Sequence, residues 1–184
     1  MAPATPADAK GLLKAAVRDD DPVLVVENLP IYKQKGEVPL DPEFLTPIGR
    51  ADVSREGTDI TIVSHSFATV RALHVAEKLA SEHDVSAEVV DLRSLRPLDV
   101  ETVAASIAKT NRVVCVEEGW PSYGVTAELA ARIQKACFDD LDAPVERVGM
   151  AEVPMPYAKN LELAALPGED RIEAAVLSTL GLAS

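Results

Sequence analysis

From Asp59 onward, short runs of consecutive apolar residues alternate with stretches in which apolar positions recur every three or four. Asp59–Val63 is a β-branched run and predicts a buried strand. Between Ala68 and His83 the apolar residues Val70, Leu73, Ala76 and Leu79 mark one face of a helix. Ser86–Leu92 predicts a second strand. Asp99–Lys109 predicts a helix started by Asp99 and faced by Val103, Ala104 and Ile107. Arg112–Val116 is a third strand, Val125–Cys137 a helix and Val145–Val148 a fourth strand. Leu161–Leu166 predicts one helical turn or two, and Arg171–Leu180 a final helix with Gly181 as its stop. Strands alternating with helices predict an α/β fold: three layers, with a mainly parallel sheet and helices on both faces.

The first fifty residues follow a different pattern. Thr5 is a helix cap, Pro6 suits the first helical position, and Asp8 sits three residues after the cap. This helix carries Leu12, Leu13, Ala16 and Val17 and runs to about Arg18. Val23–Val26 then predicts a strand. One helix and one strand are too little for a domain. Pro30, Pro39, Pro42 and Pro47 mark the next stretch as an extended connector. The expected division is therefore 1–27, a linker over 28–47, and a domain over 48–184.

Composition narrows the function. Thirty acids against eighteen bases give a formal charge of −12 over 184 residues. That argues against a nucleic-acid or anionic-membrane partner and leaves room for a basic protein partner. Cys115 and Cys137 alone make no disulfide framework or zinc pattern, and point to a reducing compartment. No apolar run approaches the length of a membrane span, and Met1–Pro6 lacks the pattern of a signal peptide.

Candidate chemistry gathers after the strands, where α/β sheets place their ligands. Glu117 and Glu118 end the run Val113–Val116 and precede Gly119, Trp120 and Pro121. Adjacent strand residues face opposite ways, so the favoured reading is one solvated acid and one acid capping a loop. His65 follows a strand between Ser64 and Ser66. It either lines a cleft, as a base or a substrate-orienting group, or caps the next helix. His74 and His83 suit surface or capping positions. Arg93 and Arg96 could clamp an anion, but in so acidic a chain they favour structural ion pairs. Cys115 suits an inert core position. No phosphate-binding glycine loop is present. Val153–Lys159, with two prolines, Met155 and Tyr157, suits a rigid loop packed against another domain or chain.

Eight segments together carry a family resemblance: 7–13, 48–51, 63–66, 90–97, 109–111, 117–121, 141–144 and 153–159. In order and spacing they resemble the β-subunits of the thiamine-diphosphate-dependent 2-oxo acid dehydrogenases. Gly119–Pro121 and Pro156–Ala158 look like the pyruvate branch, while Leu29–Leu45 departs from the family pattern. The resemblance covers the second half of such a subunit, so the chain looks like a truncated subunit or split gene product. Residues 1–27 would be the last helix and strand of a missing pyrimidine-binding domain, and 48–184 a transketolase-type C-terminal domain. The resemblance implies no catalytic or cofactor-binding residue in this chain. Thiamine diphosphate and magnesium would belong to the full complex, which oxidatively decarboxylates pyruvate and passes acetyl to lipoyl groups. The implied partners are the α-subunit, a second β-subunit and the subunit-binding domain of the dihydrolipoyl acyltransferase, met at Asp142. A potassium ion would be held by the carbonyls of Ala16, Asp19 and Asp21. The implied compartment is a bacterial cytoplasm or a mitochondrial matrix. The alternatives are a free-standing enzyme using His65 with Glu117 or Glu118, and a stand-alone effector-binding domain.

Overall fold

The computed structural model describes residues 1–182, so the last two residues of the 48–184 assignment lie outside the described residues. Its centre is a five-stranded sheet in the order β1-β3-β2-β4-β5. The strands are β1 (Asp52–Arg55), β2 (Ile60–Ser64), β3 (Ala87–Asp91), β4 (Val113–Val116) and β5 (Glu146–Val148). All neighbours run parallel except β1, which lies antiparallel along β3 at the sheet edge. The helices are α1 (Pro6–Arg18), α2 (Phe67–His83), α3 (Val100–Thr110), α4 (Val125–Ala136), α5 (Lys159–Ala165) and α6 (Glu169–Thr179).

The apolar runs explain the three layers. Ile60, Ile62, Val89, Val114 and Val116 face one way and pack with Ala72, Val75 and Leu79 of α2 and Ile172 and Val176 of α6. The alternate residues Val63, Val90, Val113 and Cys115 face the other way, against Val103 and Ile107 of α3 and Leu129 and Ile133 of α4. A strand covered on both faces has no position for a solvated side chain, which is why these runs lack polar alternation. Asp99 starts α3 as expected, its carboxylate accepting from Thr102 N at 3.1 Å. Gly181, just beyond α6, takes the left-handed φ of +71° that suits a stop.

Two expectations are corrected. Val23–Val26 forms no strand: Leu24 and Val26 stand 83% and 60% exposed, and among the described residues their backbones bond only to Met1. Strand propensity needs an adjacent ladder, and no sheet edge reaches this segment. Conversely, β1 has no apolar run. It forms because Asp52 and Val53 pair with Asp91 and Val90 of β3, an interaction invisible in its own four residues.

The connector is not free either. It opens with a 3₁₀ turn over Leu29–Lys33 and then wraps α1. Lys10 Nζ donates to the carbonyls of Pro39 and Asp41, and Lys14 Nζ to those of Pro42 and Phe44. Gly11 permits this approach: a β-carbon there would lie 2.7 Å from Thr46 N and nearer still to its hydroxyl. Gly11→Ala should therefore cost about 1–3 kcal/mol of docking through overpacking. The expected readout is faster tryptic cleavage at Lys33 and Lys35.

Candidate functional site at the carboxyl ends of the strands

Glu117 and Glu118 leave β4 on opposite faces, and the structure assigns them different work. Glu117 is 3% exposed. Its carboxyl group accepts from Val125 N at 3.0 Å, Thr126 N at 2.9 Å and the Thr126 hydroxyl at 2.5 Å. These are the orphan donors of the first turn of α4, whose own N-cap is Gly124, without a side chain to offer. Gly124 is required here because a β-carbon would lie 2.8 Å from the Glu117 carboxyl carbon. Glu117 is thus a capping acid, its carboxyl group buried and committed to the start of α4. Glu118 turns the other way, accepts from Asn28 Nδ2 at 2.5 Å, and lies 3.5 Å from the Arg71 guanidinium of α2.

His65 and Glu118 both line a cavity of about 410 Å³ at the ends of β2 and β4. The segment Val26–Pro30 closes one side of it, and Leu95 and Gly119 the other. The His65 imidazole is held below its ordinary range by burial, against the raising influence of the Glu117 charge. Ser66, the next residue, adopts φ 55° and ψ −137°, a conformation rare for a residue with a side chain. His65 therefore lines a cleft, as one of its two readings held, while Ser66 takes the N-cap position of α2 without a side-chain bond. Glu117 does not line that cavity; of the two acids, the one beside His65 there is Glu118.

The remaining candidates are structural. Arg93 binds acids of its own chain: its Nε lies 2.9 Å from Asp8 Oδ1 and its Nη2 3.3 Å from Asp52 Oδ1. Arg96 departs from the expected ion pairing: it makes no ion pair among the described residues and lines a second cavity with Asp19 and Asp21, because no acid of the chain is brought within reach of its guanidinium. His74 and His83 meet Glu169 and Glu173 at 3.1 and 3.0 Å on the surface. Cys115 is buried, and burial pushes its thiol up to about 12. Met155 and Tyr157 are exposed, as suits a loop awaiting a partner.

Asp142 lies at the opposite end of the sheet from His65. Its N–H donates to Asn111 O just before β4, and its carboxylate, largely exposed, meets Arg112 at 3.4 Å. Ala16, Asp19 and Asp21 sit at the carbonyl end of α1, where the helix dipole favours a cation. The Ala16 carbonyl already accepts from Asp19 N, and one turn alone leaves a coordination shell incomplete. The donor set does not fit the diphosphate of thiamine diphosphate. Glu27 and Glu118 make the strand-end cavity acidic, which repels a diphosphate. Among the described residues, the metal-capable group Glu82, His83 and Glu173 lies at the other end of the sheet, with Lys78 donating to Glu173 at 2.7 Å.

Sequence reasoning missed Asp8, Asp91, Asn28 and Arg71. Asp91 carried one signal, a carboxylate closing an otherwise apolar strand, and Asp8 was legible only as part of the Thr5 cap, whose hydroxyl donates to it at 2.6 Å; Asn28 and Arg71 acquire their places through long-range contacts.

A parallel sheet closed by an antiparallel edge strand, with an acid capping the helix after β4, defines the class. The family profile "Transketolase, C-terminal domain" matches residues 49–172, and the chain belongs to that family. Within it, the chain is similar to pyruvate dehydrogenase E1 component beta subunits. It is 54% identical over 170 residues to the mitochondrial subunit beta-1 of Arabidopsis thaliana, covering 91% of this chain and 47% of that protein. It is 46% identical over 187 residues to the subunit beta of Caenorhabditis elegans, covering 100% and 53%. The chain thus spans about half the length of these curated relatives. A solved split-gene transketolase, described as an inactive beta4 tetramer, superposes with a TM-score of 0.74 at 27% identity, covering 99% of this chain and 57% of that one.

Proposed function

We propose that this chain is the assembly and partner-docking part of a pyruvate dehydrogenase β-subunit. The carrying observation is similarity at about half of all positions over nearly the whole chain to E1 beta subunits. The parent reaction is the oxidative decarboxylation of pyruvate with acetyl transfer to lipoyl groups. Thiamine diphosphate and magnesium belong to the full complex with the α-subunit and a second β-subunit. The turn of Ala16, Asp19 and Asp21 supplies part of a potassium site. The relatives' mitochondrial names support a matrix location.

The division at 1–27, 28–47 and 48–184 is part of the same proposal. Exposed Leu13, Val17, Leu24 and Val26 support it, since a lone domain rarely leaves such a row uncovered. Asp142, exposed and away from the His65 cleft, is the proposed contact for the basic subunit-binding domain of the acyltransferase.

Two measurements test the proposal. Calorimetric titration of the isolated chain with thiamine diphosphate and magnesium should give no binding heat, and tight binding would reject the non-catalytic role. Asp142→Lys should slow association with the acyltransferase's subunit-binding domain several-fold, with the salt dependence of an electrostatic contact. Unchanged kinetics would remove Asp142 from the interface.

A further inference from the structure

A band of acids lies where α1 meets the carboxyl end of the sheet. Asp91 is the last residue of β3, and its register partners are Asp52 on β1 and Ser64 on β2. Cross-strand partners project to the same face, so the three side chains form one row. Asp8, from the first turn of α1, brings another carboxylate to this row. Asp91 and Asp8 are only 1% and 2% exposed. The cation among them is Arg93, held in a left-handed backbone conformation at φ 54°.

Arg93 does not satisfy the whole group. Its Nε contacts Asp8 and its Nη2 contacts Asp52, as ion pairs; the Nε–H is not aligned as a hydrogen bond. Its backbone N–H donates to Asp91 Oδ1 at 3.1 Å, and its carbonyl accepts from Ala2 N at 2.8 Å. Asp91 Oδ2 is buried with no hydrogen-bond partner among the described residues. The Ser64 hydroxyl donates instead to Thr69 Oγ1 at 3.0 Å, and the Thr69 hydroxyl, close to Asp91, works against the rise of its carboxyl. Two carboxylates thus occupy the guanidinium, Asp91 receives only the Arg93 backbone N–H, and its other, buried oxygen lacks a donor. Asp52 is partly exposed and also accepts from the Ser54 hydroxyl, but Asp91 and Asp8 are buried, and ionising both beside a single cation favours holding a proton on one of them.

We propose that Asp91, Asp8 and Arg93 form a proton-controlled clasp that seats α1 on the sheet, closed when Asp91 is neutral and loosened when it ionises. The charged groups facing Asp91 are Asp8 from α1, Asp52 from β1 and Arg93 from its own loop. β2 and α2 face it with the uncharged Ser64 and Thr69. The nearby Met1 ammonium is engaged by the Leu24 carbonyl at 2.7 Å. Burial, with Asp8 adding to it, pushes the Asp91 carboxyl up to about 7, which places the transition near neutrality. The clasp is independent of the dehydrogenase assignment; under that assignment it would set how firmly two domains of one subunit are joined.

The test is amide hydrogen exchange of residues 6–18, corrected for intrinsic rates, between pH 5.5 and 8.5. Protection of α1 should fall about tenfold or more between pH 5.5 and 7 in the wild-type chain and level off above that, since the loss runs at about tenfold per unit of pH only up to the folded-state value. In Asp91→Asn it should stay high and flat. A flat wild-type profile, or an unaltered slope in Asp91→Asn, overturns the clasp. A carbon-13 carboxyl titration of Asp91 in Asp8→Asn gives a second readout in the folded state. Its midpoint should drop towards the ordinary range, and an unmoved midpoint overturns the coupling to α1.

Discussion

Replacing Glu117 with alanine lowers the thermal unfolding midpoint by roughly 10 °C, while Glu118→Ala moves it by about 3 °C or less. The two acids are adjacent, so the contrast isolates their surroundings from their chemistry. Alanine at Glu117 strips Val125 N, Thr126 N and the Thr126 hydroxyl of their acceptor in a site closed to water. Leaving such donors unpaired costs about 3 kcal/mol or more. Glu118 loses an amide partner and one long ion pair, partly exposed, whose worth is at most about 1 kcal/mol. Differential scanning calorimetry of the two variants decides it. Equal losses would mean that Glu117 does not hold the start of α4.

Asp91→Asn should stabilise the chain at pH 8 and lose that advantage near pH 4. The sign follows from proton linkage. The Asp91 carboxyl is pushed up to about 7 in the folded chain, from an ordinary value of 3.8, chiefly by burial. The folded state therefore holds the proton more tightly than the unfolded state. Stability contributed by the neutral carboxyl is complete below the ordinary value and is lost as pH rises to about 7. Beyond that the penalty levels off, at up to about 4 kcal/mol. Asparagine keeps the shape without the charge. Urea unfolding followed by circular dichroism at pH 4 and 8 should show the curves converging at low pH. A constant difference between the proteins would reject the linkage.

How much of this could be read in advance depended on how local each signal was. β2, β3 and β4 are covered on both faces, so their apolar runs stand out, and the structure shifts their bounds by only a residue or two. α2, α3 and α4 carry an apolar stripe in their own residues. β1 failed because its pairing energy comes from β3, and Val23–Val26 failed for the converse reason, propensity without a neighbour. The site divided in the same way. Strand parity foretold that Glu117 and Glu118 would part, but not which would be buried. The strand-end place of His65 was legible, whereas its cavity depends on Val26–Pro30 crossing over from far earlier in the chain. Arg93 was expected in an ion pair, yet its partners Asp8 and Asp52 lie in segments that only folding brings together.

By itself, then, the sequence determined the alternation of strands and helices, the two-faced burial of the central sheet and the family resemblance in short, ordered segments. Those properties reside in the spacing of neighbouring residues. Tertiary structure alone decided that Glu117 caps a helix instead of meeting a substrate, that the proline-rich connector clamps α1, and that two distant acids, Asp8 and Asp52, share one arginine. The reason is physical: burial, desolvation and charge competition depend on what lies within a few ångströms, and neighbours in space are set by the closed chain.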